Sequence, residues 1–92
     1  MRIALVERFQ KDVRSLGQDQ RTAVLDVLLS LPRAVGEPHF HSGLGIRKLH
    51  RSGIWEARVG LGLRLVFTIA HDLLTLVRVG SHEEIQRYLR EL

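Results

Sequence analysis

Apolar and polar positions change period several times along this 92-residue chain. Residues 2–5 (Arg2, Ile3, Ala4, Leu5) open like a short strand. Over 6–16 the spacing becomes helical. Phe9, Val13 and Leu16 fall at i, i+4 and i+7 and so share one face, opposite Arg8, Lys11, Asp12 and Ser15. Gly17 is expected to end this helix, because glycine enters the left-handed region without a Cβ penalty. Asp19 is the expected N-cap of a second helix over 20–31, with Val24, Leu25, Leu28 and Leu31 as its apolar stripe and Val27 at the edge. Pro32 is expected to stop that helix, since proline disfavours the helical region for the residue before it. Residues 33–45 carry no period and hold Gly36, Pro38, Gly43 and Gly45, the marks of a loop.

From 46 onward the alternation is that of strands, over 46–50, 54–59, 63–70 and 73–79. Trp55, Ala57 and Val59 share a face opposite Ile54, Glu56 and Arg58, and Leu63, Leu65, Phe67 and Ile69 lie opposite Arg64, Val66 and Thr68. In the last strand Leu73, Thr75, Val77 and Val79 oppose Leu74, Leu76 and Arg78. The turns Arg51-Ser52-Gly53, Gly60-Leu61-Gly62 and His71-Asp72 are so short that neighbouring strands must be antiparallel. One face of the sheet is expected to pack on the helices, leaving a partly apolar floor rimmed by arginines on the other. Ser81 followed three residues later by Glu84 matches a capping box, and Ile85, Tyr88, Leu89 and Leu92 then fall on one helical face. The expected fold is α+β: an N-terminal helical hairpin packed on a C-terminal antiparallel sheet of about four strands, with a short C-terminal helix, in one domain over 1–92.

Composition narrows this picture. With 45% apolar residues the chain can bury a core, and with no cysteine it has neither disulfides nor a cysteine-ligated metal. No apolar run is long enough to span a membrane or to act as a signal peptide, so a soluble cytoplasmic protein is expected. The net charge of +4 is concentrated. Residues 33–64 hold six basic groups (Arg33, Arg47, Lys48, Arg51, Arg58, Arg64) against two acidic ones (Glu37, Glu56), and the flanking thirds nearly cancel. Twelve of the fourteen basic residues are arginine, whose planar fork suits phosphate and carboxylate. Nucleic acid or an acidic protein segment is therefore the natural partner class, against the plainer reading of a solvated basic face.

Several kinds of site are missing: there is no phosphate-binding P-loop, no G-x-G-x-x-G, no serine nucleophile elbow and no H-E-x-x-H. His39 and His41, with His50 and His82, make only a weak metal signal, so no metal and no cofactor is expected. What remains is a set of phosphate-compatible and proton-transferring groups: Glu56, Arg58, Arg64, Arg78, His82 and Tyr88. Metal-free RNA cleavage needs these types. A base takes the 2′-hydroxyl proton, cations stabilise the charge that builds at phosphorus, and an acid protonates the departing 5′ oxygen. Arg47, Lys48, His50, Arg51 and Arg78 are the further candidates for RNA contact. The same residues also have plainer readings: Glu56 in a cross-strand ion pair with Arg58 or Arg64, His82 in a helix first turn, and Tyr88 and Trp55 as packing residues.

The segments I-R-K-L-H-x-S-G-I-W-E-A-R-V-G (46–60, with Arg51 at x), L-R-L-V-F (63–67) and V-R-V-G-S-H-E-E-I-Q-R-Y-L (77–89) resemble the RelE/ParE superfamily of bacterial toxins from type II toxin–antitoxin systems. The preceding helical hairpin fits the same pattern. The resemblance implies a toxin neutralised by a cognate antitoxin in a hetero-oligomer. In the RelE-like branch it implies a ribosome-dependent mRNA endoribonuclease acting in the A site without a metal. In the ParE-like branch it implies inhibition of DNA gyrase with no nuclease chemistry. A third reading is a small basic binding module. Carried over position by position, Arg64 matches the phosphate-contacting arginine that opens its strand, and Arg58 matches a strand lysine or arginine. His82 matches a basic residue or histidine near the C-terminus, and Tyr88 matches a C-terminal tyrosine. Glu56 stands where RelE proteins have a lysine and is the candidate base, with His82 the candidate acid.

Overall fold

The computed structural model describes residues 1–36, 41–49 and 53–92. Its elements run β1 (Arg2–Leu5), α1 (Glu7–Arg14), α2 (Gln18–Gly36), α3 (His41–Leu44), β2 (Arg47–Lys48), β3 (Ile54–Val59), β4 (Leu63–Ala70), β5 (Leu73–Ser81) and α4 (His82–Arg90). The architecture is the expected α+β arrangement with one difference in the sheet. Among the described residues it has five strands, in the order β1-β5-β4-β3-β2, because the N-terminal segment joins it. β1 pairs with β5 in parallel, Arg2 opposite Leu73 through Leu5 opposite Leu76, while the other pairs are antiparallel. A parallel partner needs a long crossover, and here the whole chain from α1 to β4 supplies it.

The core lies between the sheet and the α1–α2 hairpin. Phe9, Val24, Leu31 and Ala34 from the helices meet Ala57, Val59, Leu65, Phe67, Leu74, Leu76 and Val79 from the strands, with Val13 and Leu16 packed against them. Trp55 stacks on Phe67, ring centroids 6.4 Å apart and planes 16° from parallel, so it is an anchor of this core. The register explains why strict alternation misplaced part of β5. Val66 pairs with Arg78 but Phe67 pairs with Leu76, an irregularity that leaves Val77 without an opposite residue. One extra residue reverses parity. Leu74, Leu76 and Val79 therefore all reach the core, and Arg78 goes to the opposite face.

Four local expectations about the helices change. α2 continues through Pro32 to Gly36 instead of ending before the proline. Leu31 and Ala34, on either side of it, are buried, and that burial offsets the backbone hydrogen bond that proline removes. The buried stripe of α2 is Val24, Val27, Leu31 and Ala34, so Leu25 and Leu29 are exposed. α2 also starts at Gln18, which places Asp19 in its first turn and not at the cap. α1 ends at Arg14 with Ser15 as its C-cap, before Gly17 is reached.

On the other face α4 packs across β4 and β5. Ile85 and, on that face of β4, Val66 are both fully buried yet stand apart from the main core. The floor predicted from sequence is thus partly roofed by α4. The capping box forms: Glu84 N–H donates to Ser81 Oγ at 3.1 Å, and Ser81 N–H donates to Glu84 Oε1 at 2.8 Å. The bond from the Ser81 backbone, followed by that from its side chain, holds the Glu84 carboxyl below its usual range. A depressed carboxyl adds stability above the unfolded-state value of 4.5, and this is lost as pH falls through the lower folded value. Ser81→Ala should cost about 1 kcal/mol at neutral pH, read by urea unfolding. The deficit against wild type should shrink on acidification below the ordinary carboxylate range, and a constant deficit would contradict the capping role.

Candidate phosphate-binding site

Three strands and the start of a helix bring charge to one place. Register sets Arg47 opposite Glu56, and Arg58 opposite Arg64, with Arg64 opposite Gly80 on the far side. Opposed residues on paired strands share a face, so Arg47, Glu56, Arg58 and Arg64 rise from the same side of the sheet. His82 enters beside them as the first residue of α4, its backbone fixed by the Ser81 cap. These side chains, with Gly45 and Ile46, line an open cavity of about 420 Å³.

Glu56 is the anchor of this cluster. It is 2% exposed and is the one buried charged residue among the described residues. Its Oε1 accepts from Arg47 Nε at 3.1 Å and lies 3.9 Å from Arg64 Nε, while Oε2 has no hydrogen-bond partner among the described residues. A carboxylate in so dry a position is stable only because cations face it. In return it fixes two guanidinium groups that would otherwise repel each other. Arg64 is held a second time, donating from Nη1 to the Leu63 carbonyl at 3.1 Å. Arg58 is placed by a glycine. Gly45 has φ +62°, and a Cβ added there would come within 2.9 Å of Arg58 Cγ and nearer still to Nε. Arg58 thus runs across a gap that only glycine leaves. Gly45→Ala should displace the Arg58 side chain, cost roughly 1 kcal/mol for the left-handed backbone and, if the cavity takes phosphate, weaken that binding about tenfold. Titration with a short RNA, alongside thermal unfolding, would check both effects.

The structure divides the remaining candidates. Lys48 is exposed on β2, opposite Trp55. His50 and Arg51, and the side chains of His39 and His41, lie outside the described residues. Among the described residues no group of three histidine, aspartate or glutamate side chains is placed to hold a metal ion. Arg78 and Tyr88 do not line the cavity. Arg78 donates from Nε to Asp12 Oδ2 at 2.7 Å and from Nη2 to Oδ1 at 3.4 Å, and its guanidinium carbon lies 5.3 Å from the centre of the Tyr88 ring. These two candidates therefore join α1, β5 and α4 to one another. Asp12 is the residue that sequence reasoning missed. Its one sequence signal was an i, i+4 partner in Arg8, 3.3 Å away, which is common on any helix.

Solved structures share this architecture. A copper-bound mutant toxin from Helicobacter pylori matches over 92% of this chain and 98% of its own, at 24% identity and TM-score 0.71. YafQ from E. coli matches over the same shares at 21% identity and TM-score 0.73. The RelB–RelE antitoxin–toxin complex from Methanococcus jannaschii matches over 92% of this chain and 96% of that one, at 19% identity and TM-score 0.68. No family model and no curated protein matches the chain. The fold is therefore that of the RelE-type toxins, and the YafQ structures share it. No described helix is long and apolar enough to cross a membrane.

Proposed function

We propose that this protein is the toxin of a type II toxin–antitoxin pair and that it cleaves mRNA on the ribosome without a metal. The observation that carries the reading is the cavity itself: Arg47, Arg58 and Arg64 converge on one opening beside His82, over a buried glutamate that keeps two of the arginines in place. Convergent cations at fixed positions are what a phosphoryl transition state needs, and an exposed histidine is the side chain best matched to proton transfer near neutral pH. The fold supports the same reading, since RelE and YafQ structures of this shape are solved in complex with the antitoxins RelB and DinJ.

In the proposed reaction Arg58 and Arg64 hold the scissile phosphate. The 2′-hydroxyl oxygen attacks phosphorus as its proton leaves, the bond from phosphorus to the 5′ oxygen breaks, and that oxygen takes a proton from His82. The products are a 2′,3′-cyclic phosphate and a free 5′-hydroxyl. Glu56 receives the 2′ proton once the incoming phosphate draws Arg47 away from it. Arg47 is the mobile partner in this scheme, its side chain 61% exposed against 22% for that of Arg64. Until then Glu56 is a positioning group. Arg47 and Lys48 contact flanking phosphates, and an acidic antitoxin segment would compete for the same cations.

The test is primer extension on an mRNA under translation. Wild type should cut it within codons, and His82→Asn should slow cutting about 10²-fold while leaving RNA affinity nearly unchanged. If wild type leaves the mRNA intact, the nuclease reading fails. Inhibition of gyrase supercoiling by the same preparation would then favour the ParE-like alternative.

A further inference from the structure

A second cavity, of about 590 Å³, adjoins the first and shares Arg58 and Arg64 with it. Its other lining residues are of a different kind: Val27 from α2, Gly43 and Leu44 at α3, and Gly60 and Leu61 from the β3–β4 turn. The sheet makes room for it. Among the described residues β2 pairs only with Trp55 and Glu56, and the end of β3 from Ala57 to Val59 has a strand on one side alone, with α3 packed near its open edge. At the rim stands Leu61. It is 103% exposed, more than in an extended reference chain, and it is flanked by Gly60 (φ +60°) and Gly62. A leucine so placed contributes nothing to the core, and the turn presents it beside the two arginines. Val59 opposite Leu63 closes the hairpin one pair beyond Arg58 opposite Arg64, so Leu61 at the turn tip is three residues from each cation, at most about 10 Å along the backbone.

We propose that this cavity is a nucleobase subsite: the base adjoining the phosphate held by Arg58 and Arg64 lies against the apolar side chains of its wall, Leu61, Leu44 and Val27. The inference rests on the phosphate-site reading above and extends it from the backbone of RNA to one of its bases. The chemistry is complementary on both sides. A nucleotide is an anion joined to a flat, weakly polar ring, and this surface sets a pair of cations in a recess whose remaining side chains are Val27, Leu44 and Leu61. Arginine planes and apolar side chains both accept the face of an unstacked base, so contact here adds affinity without reading the base edge. A protein anchor at Leu61 would not require the cations to be shared between the two cavities.

The experiment uses fluorescence anisotropy with a labelled RNA hexamer, made uncleavable by 2′-deoxy substitution, and six versions each abasic at one position. Wild type should bind one or two of the abasic hexamers roughly fivefold more weakly than the intact one. Leu61→Ser should erase that difference while binding those abasic hexamers as wild type does, and its full exposure makes misfolding a small risk that circular dichroism would reveal. Val27→Ala offers a second probe from the other wall and should reduce the same ratio. Equal binding of intact and abasic RNA by wild type, or an unchanged ratio in Leu61→Ser, overturns the subsite and leaves the phosphate site standing. Base-dependent binding that Leu61→Ser removes supports the subsite even where translated mRNA stays uncut, an outcome that would fault the nuclease reading alone.

Discussion

On the proposed nuclease reading, Arg64→Ala should lower cleavage of translated mRNA by roughly 10²–10³-fold, as loss of one preorganised donor at a developing anion does elsewhere. Arg64 has less freedom in the cavity than Arg47. Its strand position is fixed by pairing on both sides, to Arg58 and to Gly80. Its side chain is bound at Nη1 to the Leu63 carbonyl and faces Glu56 at Nε. A cation already in place pays no reorganisation as charge builds, which is why its removal acts on the rate more than on substrate affinity. Arg47, whose side chain is far more exposed, should behave differently, with Arg47→Ala raising KM severalfold and lowering kcat less. The two variants measured side by side separate preorganisation from general attraction. Equal losses in both, confined to KM, would mean that the arginines only gather RNA. The fold should survive Arg64→Ala, because Arg47 remains to face the buried Glu56 carboxylate.

Much of this was legible from residue order, and the parts that were not have definite causes. The strand period over 54–70 placed Glu56, Arg58 and Arg64 on one face, and two-residue periodicity is robust where a hairpin keeps a single register. The capping box at Ser81 was legible because it is a contact between residues three apart. β5 was misread at Val77, since a bulge leaves no mark in composition. The parallel pairing of β1 was missed as well, because nothing in Arg2–Leu5 records that its partner lies some seventy residues away. The α2 stripe was taken one step too far round, onto Leu25, for a related reason: Val27 and Ala34 are poorer in apolar surface than Leu25 and Leu29, yet it is their side of α2 that meets the sheet. Which apolar residues are buried is settled by the partner surface, not by hydrophobicity alone. Arg78 and Tyr88 looked equivalent to the cavity residues in sequence. They parted from them only through Asp12, sixty-six residues from Arg78.

That contact carries the largest expected effect on stability. Asp12→Ala should destabilise the protein by about 3 kcal/mol, near the lower bound for breaking a buried pair by removing one partner. Beyond Leu5 no strand among the described residues lies beside the β5 edge, and Asp12 of α1 stands in for one: its Oδ2 accepts the Val79 N–H at 3.1 Å as well as Arg78 Nε at 2.7 Å. Without it a backbone donor and a guanidinium only 15% exposed would both lose their acceptor, each at a cost of one kcal/mol or more. The stacking of Arg78 on Tyr88 would remain, at about 1 kcal/mol, and would not replace the lost charge. Asp12→Asn should cost less, roughly half as much, because the amide oxygen still accepts from Val79 while the charge is gone. For a domain of this size 3 kcal/mol corresponds to a melting temperature lower by about 12–24 °C. A double-mutant cycle between Asp12→Ala and Arg78→Met isolates the pair, and a coupling energy near zero would show that Asp12 acts through Val79 alone. Since neither residue lines the cavity, a variant held below its melting temperature should keep whatever RNA affinity wild type shows, which separates the scaffold that joins α1, β5 and α4 from the cations of the cavity.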